Sequence, residues 1–195
     1  MSEVCLISKL KEILTGLSNK DLDLLAGIGE MKSFRDKDVI LKSGSRLRSV
    51  FLILEGAARG YLLDSEGNQI TILLRGKGIF VGDAKSLFTG APQKLEIEAV
   101  GATEVLLLSF ADFEKLASEN SAIGQLYLNS LKEAILRLTY RVESMIMMSS
   151  EKRYQDLLKM NPTFLEKSYD KYVANFLGIT PVSLSRIKKK LNLEN

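Results

Sequence analysis

The chain of 195 residues contains no histidine, a single cysteine and only three prolines. Without histidine it lacks the usual general base at neutral pH, the commonest metal ligand, and every Ser-His or Cys-His catalytic arrangement. A lone Cys5 excludes an intramolecular disulfide, a four-thiolate zinc site and a protein-held iron-sulfur cluster of the usual kind, and it fits a reducing cytoplasm. Three prolines and 14 glycines argue against a long disordered or collagenous tract. No window approaches the ~18 consecutive apolar residues of a membrane-spanning helix. The longest uncharged apolar stretches are fragments such as Val105 to Leu108. Met1 to Lys11 carries Glu3, Lys9 and Lys11 around a short apolar patch, which is not a basic segment followed by an apolar one. The expectation is a cytoplasmic protein with no catalytic residue, no metal site and no membrane partner.

What is present is ordinary globular composition, 46% apolar and 26% charged, enough for one medium domain or one domain with a small appendage. The net charge of +3 is unevenly placed. Residues 151–195 hold 9 Lys/Arg against 5 Asp/Glu, a balance of +4, and the rest hold 18 against 19, a balance of −1. Arg186, Lys188, Lys189 and Lys190 concentrate the excess, as a phosphate-contacting surface or a solvated helical face would.

Residues 3–28 read as helical, with Leu6, Leu10, Ile13, Leu14 and Leu17 near a 3.6 period and Ser18 placed to cap a second turn. From Met31 to about Ser109 the pattern changes to short runs bounded by Gly and Asp. Strands are expected over Val39–Leu41, Val50–Leu54, Ala58–Leu63, Gln69–Leu74, Ile79–Val81, Leu95–Val100 and Val105–Leu108. Asp64 to Gly67 reads as a turn, and Gly44, Gly56, Gly76 and Gly78 as other reversals. Many short strands at regular spacing point to a sandwich or a small jelly roll. After a short helical segment from Asp112 to Leu116 comes a long helix, about Ser121 to Met148. Along it Leu128, Leu131, Ile135, Leu138, Val142 and Met145 repeat at intervals of 3 and 4, the seam of a coiled coil. That stripe could pack on the chain's own barrel or pair with its twin in a parallel dimer, and dimerisation is the favoured expectation. Ser149-Ser150 reads as a hinge, followed by a helix over Lys152–Lys159 that stops before Pro162.

Asp170 to Lys190 has helix-turn-helix spacing. Gly178 tolerates the positive φ of a tight turn, and Ala174, four residues earlier, is small enough for a close helix crossing. Val173, Leu177 and Ile179 supply the packed interior. Thr180 can cap the second helix and Pro181 suits its first position. Leu184 and Ile187 fall inside, leaving Val182, Ser183, Ser185, Arg186 and Lys189 outward. The alternative is an ordinary helical hairpin, against which the filled slots and the basic outward face weigh.

An N-terminal jelly roll, a long pairing helix and a C-terminal helix-turn-helix, in that order, resemble the Crp/Fnr superfamily of bacterial transcription regulators over nearly the whole chain. The segments that carry the resemblance are Phe51 to Gly56, Ile79 to Asp83, Glu98 to Leu108 and Tyr172 to Pro181. Glu151 to Tyr154, Pro162, and Gly178 to Pro181 with Leu184 to Ile187 look most like its Bacteroidetes-type branch. The resemblance implies an α+β fold in three parts. These are a double-stranded β-helix of the cyclic-nucleotide-binding kind over 1–120, a dimerisation helix and hinge over 121–149, and a DNA-binding domain over 150–195. It further implies a homodimer on double-stranded DNA with an inverted-repeat site, and it admits RNA polymerase as a partner. DNA contacts fall to Thr180, Val182, Ser183, Ser185, Arg186, Lys188, Lys189 and Lys190. In cyclic-nucleotide-binding members a Gly-Glu pair opens a phosphate cassette and an Arg-Ser pair neutralises the phosphate. Here Gly82 and Asp83 match the opening, but Gln93 and Lys94 stand at the Arg-Ser positions, and Gln carries no charge. The expectation is a degenerate effector pocket that does not hold cyclic AMP, with no cofactor. Two other readings stand beside it. One is a ligand-binding or protein-interaction module whose helix-turn-helix has lost DNA. The other is a jelly-roll enzyme of the cupin kind, against which the missing histidines count.

Overall fold

A computed structural model describes residues 3–160 and 169–191. Two helices lead in, α1 (Glu3–Ile13) and α2 (Asn19–Gly27). The helical stretch expected over 3–28 divides at Ser18, the expected cap, which closes a capping box at the start of α2. Its side chain accepts from the Asp21 amide while the Asp21 carboxylate accepts from the Ser18 amide.

Six strands follow: β1 (Gly29–Phe34), β2 (Val39–Leu41), β3 (Ser49–Leu63), β4 (Gln69–Gly76), β5 (Phe80–Val81) and β6 (Glu96–Ser109). A short helix α3 (Ala84–Thr89) interrupts them. The strand order is β1-β6-β3-β4, with β2 also on β6 and β5 on β3, and every pairing is antiparallel. β1 is absent from the sequence pattern because Met31 and Phe34 do not alternate. Pairing opposite Leu106 and Thr103 makes it a strand all the same.

The runs Val50–Leu54 and Ala58–Leu63 prove to be one strand, β3, and Leu95–Val100 and Val105–Leu108 likewise merge into β6. Gly56 does not reverse the chain. It sits at φ +84° in a bulge where the β3–β6 register shifts, and a Cβ there would lie 2.4 Å from the Ala102 carbonyl oxygen. Thr103 holds the bulge closed, its hydroxyl donating to the Ala57 carbonyl at 2.8 Å. The unbroken apolar run at the start of β3 is explained by burial on both faces. Phe51 and Ile53 point into the roll with Ala58, Ile97, Ala99 and Val105. Val50, Leu52 and Leu54 point outward onto Leu10, Leu22, Leu25 and Phe113.

The chain continues through α4 (Phe110–Glu119), α5 (Ser121–Met147) and α6 (Ser150–Met160), and then α7 (Asp170–Leu177) and α8 (Pro181–Lys190). The Pro162 stop expected from the sequence lies outside the described residues. The C-terminal helices do not hang free of the roll. Tyr154, Leu157, Val173, Ala174, Leu177 and Leu184 share a core with Ala57, Leu74 and Val100 from the strands. At that junction lies Arg59, 2% exposed on β3. Its guanidinium donates to Glu98 Oε1 at 2.9 Å, Thr71 Oγ1 at 2.8 Å and Gln69 Oε1 at 2.8 Å. It also lies 3.9 Å from the ring centroid of Tyr172 on α7 and 4.6 Å from that of Tyr61. Beside it the Thr71 amide donates to Asn175 Oδ1 of α7 at 2.5 Å.

Removing one partner of a buried pair strands a charge, at a cost of about 3–5 kcal/mol, whereas replacing both by apolar side chains costs far less. Glu98→Ala should therefore lower the unfolding free energy by about that amount in urea titrations, with the double variant Arg59→Met, Glu98→Leu recovering most of it. A single variant within about 1 kcal/mol of the parent would show that the pair is dispensable.

Candidate functional site

Three features of the roll and its helices carry chemistry. The first is α7–α8. Gly178 ends α7 in the left-handed conformation at φ +69°, its amide donating to the Ala174 and Asn175 carbonyls. Thr180 Oγ1 then accepts from the Ser183 amide at 3.1 Å, and Pro181 occupies the first helical position. Leu184 is fully buried on the inner side of α8, while Val182, Arg186 and Lys189 are exposed and Ser183 and Ser185 half-buried. Lys188 pairs with Asp170 at 2.5 Å and Lys190 with Glu151 at 2.6 Å, so both ammonium groups have intramolecular partners.

The second feature is the seam of α5. Leu128, Ile135, Leu138, Val142 and Met145 are exposed, between 43% and 65%, and Leu131 is half-buried. The roll therefore does not cover the stripe. Leu136, Ile146 and Met147 widen the apolar surface.

The third is a cavity of about 440 Å³ bounded by β4, α3, α5, α6 and the end of α7. Gly82, Asp83 and Lys94 line it, but Gln93 does not. Asp83 is buried and caps α3, accepting from the Lys85 amide at 3.0 Å and the Ser86 amide at 3.2 Å. Its other oxygen accepts from the Lys94 and Leu95 amides at 2.9 and 3.0 Å. Burial pushes the Asp83 carboxyl up, and the four amide hydrogen bonds outweigh that and hold it below the ordinary aspartate value of 3.8. Gln93 is equally committed, 3% exposed with its side-chain amide donating to the Leu95 carbonyl at 3.0 Å. Lys94 is exposed at the rim.

The cavity also receives guanidinium groups that sequence reading did not single out: Arg75 on β4, Arg137 and Arg141 on α5, and Arg153 on α6. They are spread over three elements, and only the tertiary fold gathers them. The i, i+4 spacing of Arg137 and Arg141 on one helix face was the one signal that could have suggested a shared target.

Residues 31–120 match the family model of the cyclic nucleotide-binding domain. Solved structures extend the likeness along the chain. FixK2 of Bradyrhizobium japonicum has a TM-score of 0.72 at 19% identity over 85% of each chain. CooA of Carboxydothermus hydrogenoformans has a TM-score of 0.69 at 15% identity, over 86% of this chain and 78% of that one. The c-di-GMP-responsive regulator CLP of Xanthomonas campestris has a TM-score of 0.68 at 13% identity, over 90% and 92%. A search of curated proteins finds no significant match. The chain shares the fold of these proteins, an antiparallel jelly roll of the cyclic nucleotide-binding kind followed by helices. Among the described residues, no helix is long and apolar enough to cross a membrane.

Within this fold Asp83 acts as a structural clasp between α3 and the start of β6. Asp83→Ala removes a cap worth about 0.5–2 kcal/mol and leaves the buried Leu95 amide unsatisfied at a further ~1–3 kcal/mol, so a total loss of about 2–4 kcal/mol is expected. Because the folded-state carboxyl titrates below its unfolded value, its contribution is full above the ordinary aspartate range. It drains as the pH falls through that range toward the lower folded value. Denaturation between pH 6 and 2.5 should show a flatter acid limb for Asp83→Asn than for the parent. Identical limbs would contradict the assignment.

Proposed function

We propose that this chain is a homodimeric, sequence-specific DNA-binding transcription regulator of the Crp/Fnr type, with an effector pocket that does not accept cyclic AMP. The observation that carries the reading is α8. It is capped by Thr180, anchored by buried Leu184, and presents Val182, Arg186 and Lys189 outward from a helix-turn-helix. Pairing through α5 brings two such helices onto one two-fold axis, which calls for half-sites about one helical turn apart in an inverted repeat. The long uncovered apolar stripe supports that pairing, since a monomer would leave it in water. RNA polymerase remains a partner that the resemblance admits. Against cyclic AMP stand the engaged carboxylate of Asp83 and the tethered, uncharged Gln93.

On α8, Arg186 is the long exposed side chain suited to bidentate contact with guanine, and Val182 suits a thymine methyl. Lys188, Lys189 and Lys190 suit phosphates. The exposed pairs of Lys188 and Lys190 are worth only about 0–1 kcal/mol, so exchanging Asp170 or Glu151 for a phosphate is cheap. Thr180, Ser183 and Ser185 are placed for sugar-phosphate contacts at the start of the helix.

Leu131→Asp with Leu138→Asp should convert the dimer to monomer in sedimentation velocity, because a charged seam cannot be desolvated without partners. A variant that stays dimeric sinks the α5 interface. For DNA, the first experiment is a mobility shift with the protein's own upstream region; no shift at any salt favours a protein-interaction role instead. With an operator in hand, Arg186→Ala should cost about 1–3 kcal/mol per half-site and relax preference at one base pair. Lys189→Ala should weaken all duplexes alike and lower the salt slope by about one for each phosphate no longer neutralised. Equal weakening by Arg186→Ala on operator and scrambled duplex would remove its base-reading role.

A further inference from the structure

The wall of the 440 Å³ cavity is heavily unbalanced in charge. Arg75, Arg137, Arg141 and Arg153 reach it, and Lys85 and Lys94 stand at its α3 side. Among the described residues the one carboxylate on that wall is Asp83, whose oxygens are taken by four backbone amides. The arginines divide into two kinds. Arg141 donates to the Phe176 carbonyl and stacks on its ring, and Arg153 donates to the Met148 and Leu177 carbonyls, so these two are tied to the backbone around the helix-turn-helix. Among the described residues Arg75 has only the neighbouring Leu74 carbonyl, at 2.9 Å, and Arg137 only Glu133 at 3.3 Å, a carboxylate that is itself largely in water.

Burial depresses the Arg75 guanidinium to about 10, and the positive charge of nearby Arg137 adds to the effect. At this partly closed wall Arg75 has no carboxylate partner among the described residues and Arg137 only the largely solvated Glu133, which leaves guanidinium donors available to a further anion. The remaining wall is mostly apolar, including Leu73, Leu157, Met160 and Phe176, with Tyr140 and Ser144 as polar members, and the volume is that of a small-ligand site.

We infer that Arg75 and Arg137 form an anion seat for a small phosphate monoester, whose apolar or aromatic body lies against Leu73, Leu157 and Phe176. The inference rests on the proposed effector pocket and names its ligand class. Phosphate moves from the closed Asp83–Gln93 cassette to the opposite wall, between β4 and α5. A monoester at neutral pH carries nearly two negative charges, its second pKa being about 6, and so matches two guanidinium groups. A cyclic phosphodiester carries one. The seat adjoins Arg141 and Arg153, whose bonds to Phe176 and Leu177 hold the last turn of α7, so occupancy bears on the posture of the helix-turn-helix.

The test is calorimetry on the full chain without DNA, using phenyl phosphate as the probe and phenol as its uncharged counterpart. Phenyl phosphate should bind at least tenfold more tightly than phenol, and should tighten between pH 5 and 7.5 as its second proton leaves. Arg75→Gln with Arg137→Gln should cost tenfold or more in affinity without lowering the melting temperature, since it removes a repulsion. Arg75→Lys with Arg137→Lys should keep part of the binding. Equal affinity for phenol, or binding lost with Lys94→Gln but retained in the double glutamine variant, would overturn the inference. Cyclic AMP run in parallel should give no heat. Micromolar binding of cyclic AMP that survives the double glutamine variant would overturn both the seat and the pocket reading beneath it. Failure of phenyl phosphate with cyclic AMP also silent would overturn the seat alone.

Discussion

The burial of Arg59 is the constraint on which the arrangement of the molecule turns. A guanidinium brings a positive charge and five donors with no acceptor, so once β3 carries it inside, the fold must surround it with acceptors and polarisable faces. It does so with groups from β4 and β6, Thr71, Gln69 and Glu98, and with the ring of Tyr172 from the C-terminal helices. The charge that cross-braces the roll thus also binds α7 to it. With the apolar contacts of Leu74, Leu157, Leu177 and Leu184 around it, the helix-turn-helix becomes a continuation of the roll's core.

That docking decides what is left outside. The inner face of α8 is consumed by Leu184, which turns Val182, Arg186 and Lys189 toward solvent. The seam of α5 lies away from the roll, and the chain has no further described element to cover it. A chain that buries its strands on both faces, yet leaves a heptad stripe in water, carries the kind of apolar surface that proteins use for interaction, which supports the proposed pairing. The same helix also contributes Arg137 and Arg141 to the cavity. α5 thus carries both an exposed apolar stripe and a cationic edge of the cavity, with Leu138 at their border, placing the proposed pairing surface and the proposed ligand seat on one helix.

Much of this was legible in the residues themselves. The change from helical to strand periodicity near Met31, the seam on α5, the Ser18 cap and the turn at Gly178 with Thr180 and Pro181 are local signals, and each appears where its residue chemistry requires. Gly56 shows where local reading stops. A glycine between two apolar runs is equally consistent with a reversal and with a bulge in one long strand, and only the partner strand, through Thr103 and Ala102, distinguishes them. β1 is the same lesson in reverse, a strand without a pattern that exists because β6 offers it an edge.

For the site, the sequence by itself determined the exclusions and the shape of α8. No histidine, one cysteine and an uncharged Gln93 are facts of composition that no packing can alter. What only the tertiary structure decided is the state of groups whose partners are distant in the chain. Asp83 and Lys94 lie next to one another in the folded cassette, yet whether a carboxylate faces a ligand or four amides depends on how α3 meets β6. Arg75, Arg137, Arg141 and Arg153 carry no motif at all. Their convergence arises because β4, α5 and α6 cross at one place, and long-range electrostatics between such side chains is set by distances in space that spacing along the chain does not contain.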